Sequence, residues 1–237
     1  MWKINGLGVA SWVAEDVSCR FDLRGGDNSI QMHAFSHSND TLDPSGGAPT
    51  LRLSAVEDQI LPAAAEQYVR QNRLCVNYPQ LTGSYAIRLS VEPMFTNANR
   101  VIFELVVSIQ TDLLDSHPML DLIAEGQDLT QVHAESTEAN WRADLLGEAS
   151  GVAPINSIET EAGVVAVLLD RHDAPTTTNL AAGNHLKLRL FGDFLEKGVI
   201  RTARPWVVVD HGANRDGAET LQSLFEQLEQ RPLPLAT

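Results

Sequence analysis

The sequence predicts an all-β, mainly antiparallel fold: a large β-sandwich with one amphipathic α-helix at its C-terminal end. Several segments alternate apolar and polar residues with a period of two, turn-forming residues separate pairs of these segments, and strong helical periodicity occurs once. A chain of 237 residues with 43% hydrophobic composition can bury a sizeable core, and β-sandwiches of roughly 200 to 250 residues commonly form one domain. We therefore expect a single domain over residues 1–237.

Alternating or β-branched runs predict the strands. The clearest runs cover residues 51–53, 85–91, 101–109, 185–191 and 200–210. Residues 21–35 hold a Gly-Gly-Asp-Asn turn between two short runs, and residues 68–78 hold a Gln-Asn turn between two more. Both patterns predict hairpins, because glycine and asparagine accept the positive φ that tight turns require.

Two further strand pairs follow from short connections. The segment 96–99 is short enough to make the runs 85–91 and 101–109 antiparallel neighbours. A hairpin is also predicted between 185–191 and 200–210, with the permissive backbone of Gly198 in its turn. Pro205 interrupts the second of these runs and indicates a bulge or an edge strand, since proline removes a ladder donor.

One helix is predicted over residues 216–231. Its apolar side chains fall at i, i+3, i+4 and i+7: Leu221, Leu224, Phe225 and Leu228. Asp216 is the expected N-cap, and Pro232 ends the helix. A thinner pattern over 136–149 is compatible with a second short helix.

The chain shows no fixed-period repeat, so solenoids and propellers lose their main sequence support. A two-sheet antiparallel sandwich with the helix packed on it remains. The length and strand number also suit a larger variant, a curved supersandwich that resembles galactose-mutarotase-like domains. This resemblance is at the level of the fold alone, since no motif of that family matches residue by residue.

The composition argues against several partners. With 17 basic and 31 acidic residues, the net charge of −14 repels phosphate backbones and anionic lipid surfaces, so we expect no nucleic-acid and no membrane partner. The longest apolar runs are about half the ~20 residues of a membrane-spanning helix. Cys19 and Cys75 are isolated, which favours reduced thiols and a cytoplasmic location.

Sequence motifs for chemistry are missing. We find no nucleophile elbow, phosphate loop, dinucleotide fingerprint or zinc pattern, and we therefore predict no cofactor and no metal. Whether the chain is an enzyme, and its oligomeric state, stay open at this stage.

Glu104 is the most informative carboxylate. It interrupts a run that is apolar on both faces and is therefore expected at the centre of a sheet, where a buried charge needs a partner. The preceding run offers Arg88 as that partner. The pattern predicts a half-polar sheet face, with these candidate ligand-binding residues: Glu104, Arg88, Ser108 and Gln110, joined by Arg204 and Trp206 from the run 200–210. The alternative is a structural cross-strand Glu–Arg pair.

Acid and histidine pairs follow three apolar runs. They are Asp115 and His117, Asp170 and His172, and Asp210 and His211. If the three strand ends converged on one rim, they could form a general acid–base group or a metal shell. The alternative is that Asp and His gather where strands leave the core, because they tolerate turns.

Three functions are compatible with these patterns. The first is carbohydrate binding or sugar-related processing on the half-polar face, with the tryptophans and tyrosines as stacking surfaces. The second is a non-catalytic scaffold or interaction protein that docks through its helix or an edge strand. The third is a mutarotase-type sugar isomerase that uses a histidine and a carboxylate as acid and base.

Overall fold

A computed structural model describes residues 1–14, 17–36, 50–57, 59–81, 83–97, 99–134, 141–144, 153–160, 163–210 and 218–232. In chain order the described strands are β1 (Trp2–Gly6), β2 (Val9–Ala14), β3 (Val17–Asp22), β4 (Ile30–Ser36), β5 (Leu51–Ala55), β6 (Glu66–Arg70), β7 (Arg73–Tyr78), β8 (Ala86–Thr96), β9 (Arg100–Gln110), β10 (Met119–Glu125), β11 (Gln127–Ala134), β12 (Trp141–Asp144), β13 (Ile155–Thr160), β14 (Gly163–Leu168), β15 (Thr177–Asn179), β16 (His185–Phe191), β17 (Ile200–Ala203) and β18 (Trp206–Asp210). Short 3₁₀ turns lie at Gly26–Asn28 and Ala174–Thr176, and helix α1 spans Ala218–Gln230.

The strands form two antiparallel sheets. The eight-stranded sheet has the order β1-β2-β3-β4-β5-β10-β16-β15. The ten-stranded sheet has the order β12-β11-β13-β14-β18-β9-β8-β7-β6, and β17 also pairs with β9. Together with α1, these sheets confirm the predicted all-β class and its C-terminal helix.

The inner faces of the two sheets share one apolar core, to which alternate residues of each strand contribute. Phe103 of β9 packs against three aromatic rings of the other sheet. Its ring centroid lies 5.3 Å from Phe21, 5.5 Å from Trp12 and 6.3 Å from Trp2. These contacts join the sheets across the middle of the sandwich.

Helix α1 covers part of the outer face of the ten-stranded sheet. Its apolar stripe packs on outer-face side chains of β9, β13, β14 and β18, and the members of this second cluster are Ile102, Ile155, Ala166, Leu168, Trp206, Val208, Leu221, Leu224, Phe225 and Leu228. Strand β9 is buried on both faces from Val101 to Val107 for this reason. The predicted central position of the Glu104 strand is therefore confirmed.

The predicted local pairings are mostly confirmed. Strands β3 and β4 form one hairpin, and β6 and β7 form the other, with Gln71 at φ 57° in its turn. Strands β8 and β9 are antiparallel neighbours. Helix α1 lies within the predicted range 216–231, whereas the predicted N-cap Asp216 falls outside the described residues.

The predicted hairpin between 185–191 and 200–210 is wrong. The turn itself forms, with Gly198 at φ 79° and a hydrogen bond from Val199 N to Glu196 O. However, β16 belongs to the eight-stranded sheet, while β17 and β18 belong to the other. The connection crosses between the sheets, and the fully buried Leu195 anchors it to the core.

The interruption at Pro205 is a break in the ladder without an inserted residue. Ala203 pairs with Val107 and Trp206 pairs with Glu104, so both strands advance equally. Pro205 O still accepts a hydrogen bond from Leu105 N. Strand β18 lies between β14 and β9, so the edge-strand interpretation is wrong for it; among the described strands β17, just before Pro205, pairs with β9 alone and is locally an edge.

Within 136–149, the described residues 141–144 form β12, which pairs with β11. The compatible helix is therefore wrong for this part of the segment, because cross-strand pairing with β11 outweighs its thin helical pattern.

Candidate functional site

The half-polar face predicted from alternation is the outer face of the ten-stranded sheet, and helix α1 divides it into two parts. Under the helix and its C-terminal end lies a group of polar and aromatic side chains that we call the Arg204 cluster: Glu104, Asp170, Asp173, Arg204, Trp206 and Arg231. Beyond the helix lies a row of exposed and half-exposed groups described below.

Glu104 is 2% exposed and meets its partners inside the Arg204 cluster. Trp206 Nε1 donates to Glu104 Oε1 at 3.2 Å, and Arg231 Nη2 donates to Glu104 Oε2 at 3.4 Å. The predicted partnership with Arg88 is wrong, since the register sets Glu92 opposite Glu104 and sets Arg88 opposite Ser108. Its two hydrogen-bond donors lie more than 100 residues away in sequence, so alternation could not indicate them.

Arg204 is also 2% exposed; it hydrogen-bonds to one carboxylate and lies within ion-pair distance of a second. Its Nη2 donates to Asp170 Oδ2 at 2.8 Å, while its Nε lies 3.9 Å from Glu104 Oε1. Arg204 Nη1 further donates to the carbonyl of Pro232 at 2.8 Å, and Nη2 lies 3.4 Å from the carbonyl of Leu228. The guanidinium therefore binds the carbonyl of Leu228 in the last turn of helix α1, which also accepts from Arg231 N, and the carbonyl of Pro232 just after the helix.

Asp170 stays ionised although it is buried. Burial alone would raise the pKa of Asp170, but hydrogen bonds from His172 and Arg204 outweigh this effect and lower the pKa below its ordinary value. The contacts are short: His172 Nδ1 lies 2.7 Å and His172 N lies 2.9 Å from Asp170 Oδ1.

Asp173 behaves in the opposite way. Burial, with a smaller effect from the nearby Asp170 charge, raises the pKa of Asp173 to about 6. The backbone N–H of Arg204 donates to Asp173 Oδ2 at 2.7 Å, and this bond only partly compensates for burial. The N–H of Arg204, the residue before Pro205, is therefore bonded to a side chain and not to β9.

The Arg204 cluster is closed by Arg231, whose guanidinium carbon lies 5.9 Å from the Trp206 ring centroid. The charged atoms of the cluster contact one another and the carbonyls at the end of helix α1. Such an arrangement anchors a helix to a sheet. Sequence reasoning found Glu104, Arg204, Trp206 and Asp170 but missed Asp173 and Arg231, although Asp173 stands beside the noted Asp170 and His172.

The three acid and histidine pairs do not form one rim. Asp170 and His172 follow the C-terminal end of β14. Asp210 lies at the C-terminal end of β18, which is next to the N-terminal end of β14, because these neighbouring strands are antiparallel. Asp210 instead accepts hydrogen bonds from Arg100 at 2.7 and 2.9 Å.

The pair Asp115 and His117 lies on an exposed loop, with 3.6 Å between His117 Nε2 and Asp115 Oδ1. His211 falls outside the described residues. Within the described part of the chain, no group of three or more His, Cys, Asp or Glu side chains is arranged to hold a metal ion. The converging rim is therefore wrong for the residues that can be placed.

The second part of the outer face is not under helix α1, and we call it the open polar face. Its members are Asn77, Arg88, Ser108, Gln110 and Thr202, with Tyr68 at the edge strand β6. Thr202, Ser108, Arg88 and Asn77 are successive cross-strand partners. The Ser108 and Thr202 hydroxyls lie 3.0 Å apart.

Tyr68 belongs to the neighbouring row of cross-strand partners on the same face, with Cys75 and Ser90. It is 39% exposed and stands opposite Cys75. The aromatic ring lies at the sheet surface next to the pair Glu66 and Asn77, in which Asn77 Nδ2 donates to the Glu66 carboxylate. The face therefore combines hydrogen-bonding side chains with one accessible aromatic ring.

Comparisons with known proteins give fold-level similarities. No family model matches the chain, and no curated protein matches it. A heparan sulfate lyase HepC mutant from Pedobacter heparinus has a TM-score of 0.45 and 10% identity over 90% of this chain, which spans 36% of the lyase. A candidate aldose 1-epimerase from Escherichia coli K12 has a TM-score of 0.42 and 10% identity over 86% of this chain and 100% of that one.

At these TM-scores and identities, neither similarity assigns this chain a substrate or an activity. Among the described helices, none is both long and apolar enough to cross a membrane.

Proposed function

We propose that the chain is a carbohydrate-binding β-sandwich protein and that the open polar face is its binding surface. The observation that carries this proposal is the exposed Tyr68 ring beside a row of hydrogen-bonding side chains. Sugars present both apolar C–H faces and hydroxyl groups, and they are bound by stacking on an aromatic ring with polar groups around it.

The row next to Tyr68 supplies complementary polar chemistry. Ser108 and Thr202 hydroxyls donate and accept, and the Arg88 guanidinium donates, whereas Asn77 Nδ2 already donates to Glu66 and Asn77 Oδ1 is buried. A pyranose ring spans about one strand spacing of ~4.8 Å, so a short saccharide could meet several of these groups at once.

The Arg204 cluster supports binding on the open polar face rather than beneath the helix. Glu104 and Arg204 are almost completely buried and are already engaged with each other, with Asp170 and with the end of helix α1. A sugar could reach their atoms only by displacing these contacts. Glu104, Arg204 and Trp206 therefore leave the set of proposed ligand-binding residues, and Arg88, Ser108 and Gln110 stay in it.

The proposal is tested by calorimetric titration of the full chain with a panel of neutral and acidic tri- to hexasaccharides. We expect at least one saccharide to bind, and we expect Tyr68→Ala to weaken that binding about tenfold through loss of stacking. Phe194→Ala is the matched control, because Phe194 is similarly exposed at 42% but lies in the connection between β16 and β17, where its ring contacts His117, and is not a member of the open polar face.

The control should bind like the wild type, and both variants should keep the wild-type melting temperature within a few degrees. If no saccharide in the panel binds, or if Tyr68→Ala and Phe194→Ala bind equally well, carbohydrate recognition on the open polar face is wrong.

A further inference from the structure

We propose that the free edge of strand β6 is a self-association surface, at which two copies of this chain pair their β6 strands antiparallel about a two-fold axis. The inference goes beyond the proposed function and does not depend on a saccharide. Strand β6 lies at one end of the ten-stranded sheet, and among the described strands it pairs with β7 alone. Such an end strand presents a row of unpaired backbone N–H and C=O groups to any strand that approaches.

The hairpin geometry identifies which backbone groups point to the free edge. A two-residue turn joins β6 to β7, so the flanking residues Arg70 and Arg73 form a hydrogen-bonded pair, and such pairs recur at every second residue. Tyr68 and Arg70 therefore direct their N–H and C=O groups to β7. Gln67 and Val69 direct theirs outward, where a second strand can bind them.

The free edge is exposed and held in place. Every residue of β6 except the half-buried Gln67 is exposed, with Val69 at 40%. Gln67 Oε1 accepts a hydrogen bond from Gly8 N at 2.6 Å, which ties β6 to the turn between β1 and β2 of the other sheet. Asn72 O, in the turn after β6, accepts from Trp2 Nε1 at 2.9 Å. A strand fixed in this way loses little conformational entropy when a second strand joins it.

The charge pattern of β6 is self-complementary in one antiparallel register. When Tyr68 stands opposite Tyr68 of the second copy, Glu66 stands opposite Arg70 of the other strand, and the two-fold axis repeats this pair. The same register sets Gln67 opposite Val69, so the outward backbone groups of both strands face each other and form hydrogen bonds. Charge and backbone geometry therefore select the same register.

The hairpin itself sets an arginine, and no carboxylate, opposite Arg70. Arg70 stands opposite Arg73, whose Nε donates to Glu92 at 3.1 Å, so like charges lie side by side across β6 and β7. Glu66 accepts from Asn77 Nδ2 through one carboxylate oxygen, which leaves the other oxygen for a second donor. A second copy thus supplies a carboxylate to Arg70 and a guanidinium to Glu66.

The expected association is weak. Pairing of two five-residue strands buries less than the ~1,200 Å² at the low end of stable interfaces, and the net charge of −14 on each copy opposes approach. Salt screens exposed charges beyond about 8 Å at physiological ionic strength, whereas the cross-strand Glu66–Arg70 pairs act over a shorter distance. We therefore expect dimerisation with a dissociation constant of about 10–100 μM in about 150 mM NaCl.

The test is sedimentation equilibrium of the full chain at about 5–500 μM without saccharide. Glu66→Arg and Arg70→Glu each set two pairs of like charges across the two-fold axis, and we expect each to weaken dimerisation at least about tenfold. The double variant Glu66→Arg/Arg70→Glu restores opposite charges and should dimerise within about threefold of the wild type.

Asp115→Arg is the matched control for the charge reversals. It changes the net charge as much as Glu66→Arg does, but the Asp115 side chain is 84% exposed in the loop between β9 and β10. This control should dimerise like the wild type.

Val69→Pro tests the backbone pairing separately. Proline removes an N–H that points to the free edge and that β7 does not use, so the fold tolerates it while the new ladder loses donors on both sides of the axis. We expect no dimer of this variant up to about 500 μM. Thermal melting should show that every variant stays folded, within a few degrees of the wild type.

The outcomes decide both the association and its register. A wild-type chain that stays monomeric up to about 500 μM overturns the inference, and so does an undiminished dimer of Val69→Pro. If the folded double variant does not recover dimerisation, the Tyr68-centred register is wrong and the inference with it. None of these results decides the saccharide titration, because strand pairing extends the sheet in its own plane and leaves the open polar face uncovered.

Discussion

The two parts of one sheet face differ in what covers them. In the Arg204 cluster, helix α1 and the residues after it exclude water, and each charge is held by named partners. On the open polar face the same alternation of polar residues stays accessible. The comparison teaches that a half-polar strand pattern marks a face, while the element packed on that face decides whether its charges become an anchor or a binding surface.

The largest expected effect comes from removing the cation that holds the Arg204 cluster together. Arg204→Met leaves Asp170 with His172 as its remaining side-chain partner and frees carbonyls at the end of helix α1. We expect a loss of about 3–5 kcal/mol in the free energy of unfolding, typical of breaking a buried ion pair from one side. Urea denaturation measures this loss, and hydrogen exchange should show lower protection of helix α1 first.

Arg171→Gln is the matched control, since Arg171 lies next to Asp170 in sequence but its side chain is 66% exposed and pairs with Glu229 at 3.2 Å. Its expected cost is below about 1 kcal/mol. A similar cost for both variants would contradict the anchoring role of Arg204.

A smaller, pH-dependent effect is expected at Asp173. Its pKa is raised from 3.8 to about 6, so the folded state binds more protons than the unfolded state between these values. The stability that this group contributes is therefore fully present below pH ~3.8 and is lost as the pH rises through 6, by about 3 kcal/mol in total. Asp170 acts in the opposite direction: because its pKa is lowered, the stability that it contributes is lost as the pH falls.

Asp173→Asn keeps an acceptor oxygen for the Arg204 N–H and removes the titration. Relative to the wild type, we expect its free energy of unfolding to rise by about 2–3 kcal/mol between pH 4 and pH 7. Urea denaturation at four pH values checks this slope, with the 84% exposed Asp115 changed to Asn as control. A constant difference between variant and wild type at every pH would show that Asp173 does not titrate in this window.

The sequence was sufficient to predict which residues share a face. Alternation correctly put Glu104 on a central strand and put Arg204 and Trp206 together on one face of their own run, because the period of a strand is local and fixed. It failed for the partners, since Arg231 reaches Glu104 only through the placement of helix α1. Nothing in the local pattern of a strand records what packs against it.

The predicted hairpin between 185–191 and 200–210 and the predicted rim of acid and histidine pairs were wrong for a related reason. Gly198 forms its turn as expected, but a turn residue sets local geometry and does not choose the sheet of the following strand. Asp170 and Asp210 both belong to acid and histidine pairs, but they lie at opposite ends of the antiparallel strands β14 and β18. The direction of a strand depends on its pairing partners, which a short motif does not contain. Local chemistry was predictable, whereas long-range pairing was not.

The smallest effect on stability is expected on the open polar face. A small effect there, beside a large one in the Arg204 cluster, would separate the two parts of the sheet face. Arg88→Gln and Ser108→Ala change side chains that stand opposite each other across β8 and β9, and water can replace much of what they lose. We expect each to change the free energy of unfolding by less than about 0.5 kcal/mol, measured by the urea denaturation used for Arg204→Met. A cost of several kcal/mol would mean that these residues belong to a covered anchor like the Arg204 cluster. A negligible cost agrees with a role in ligand binding, because the polar groups of a binding surface contribute little to folding before the ligand arrives.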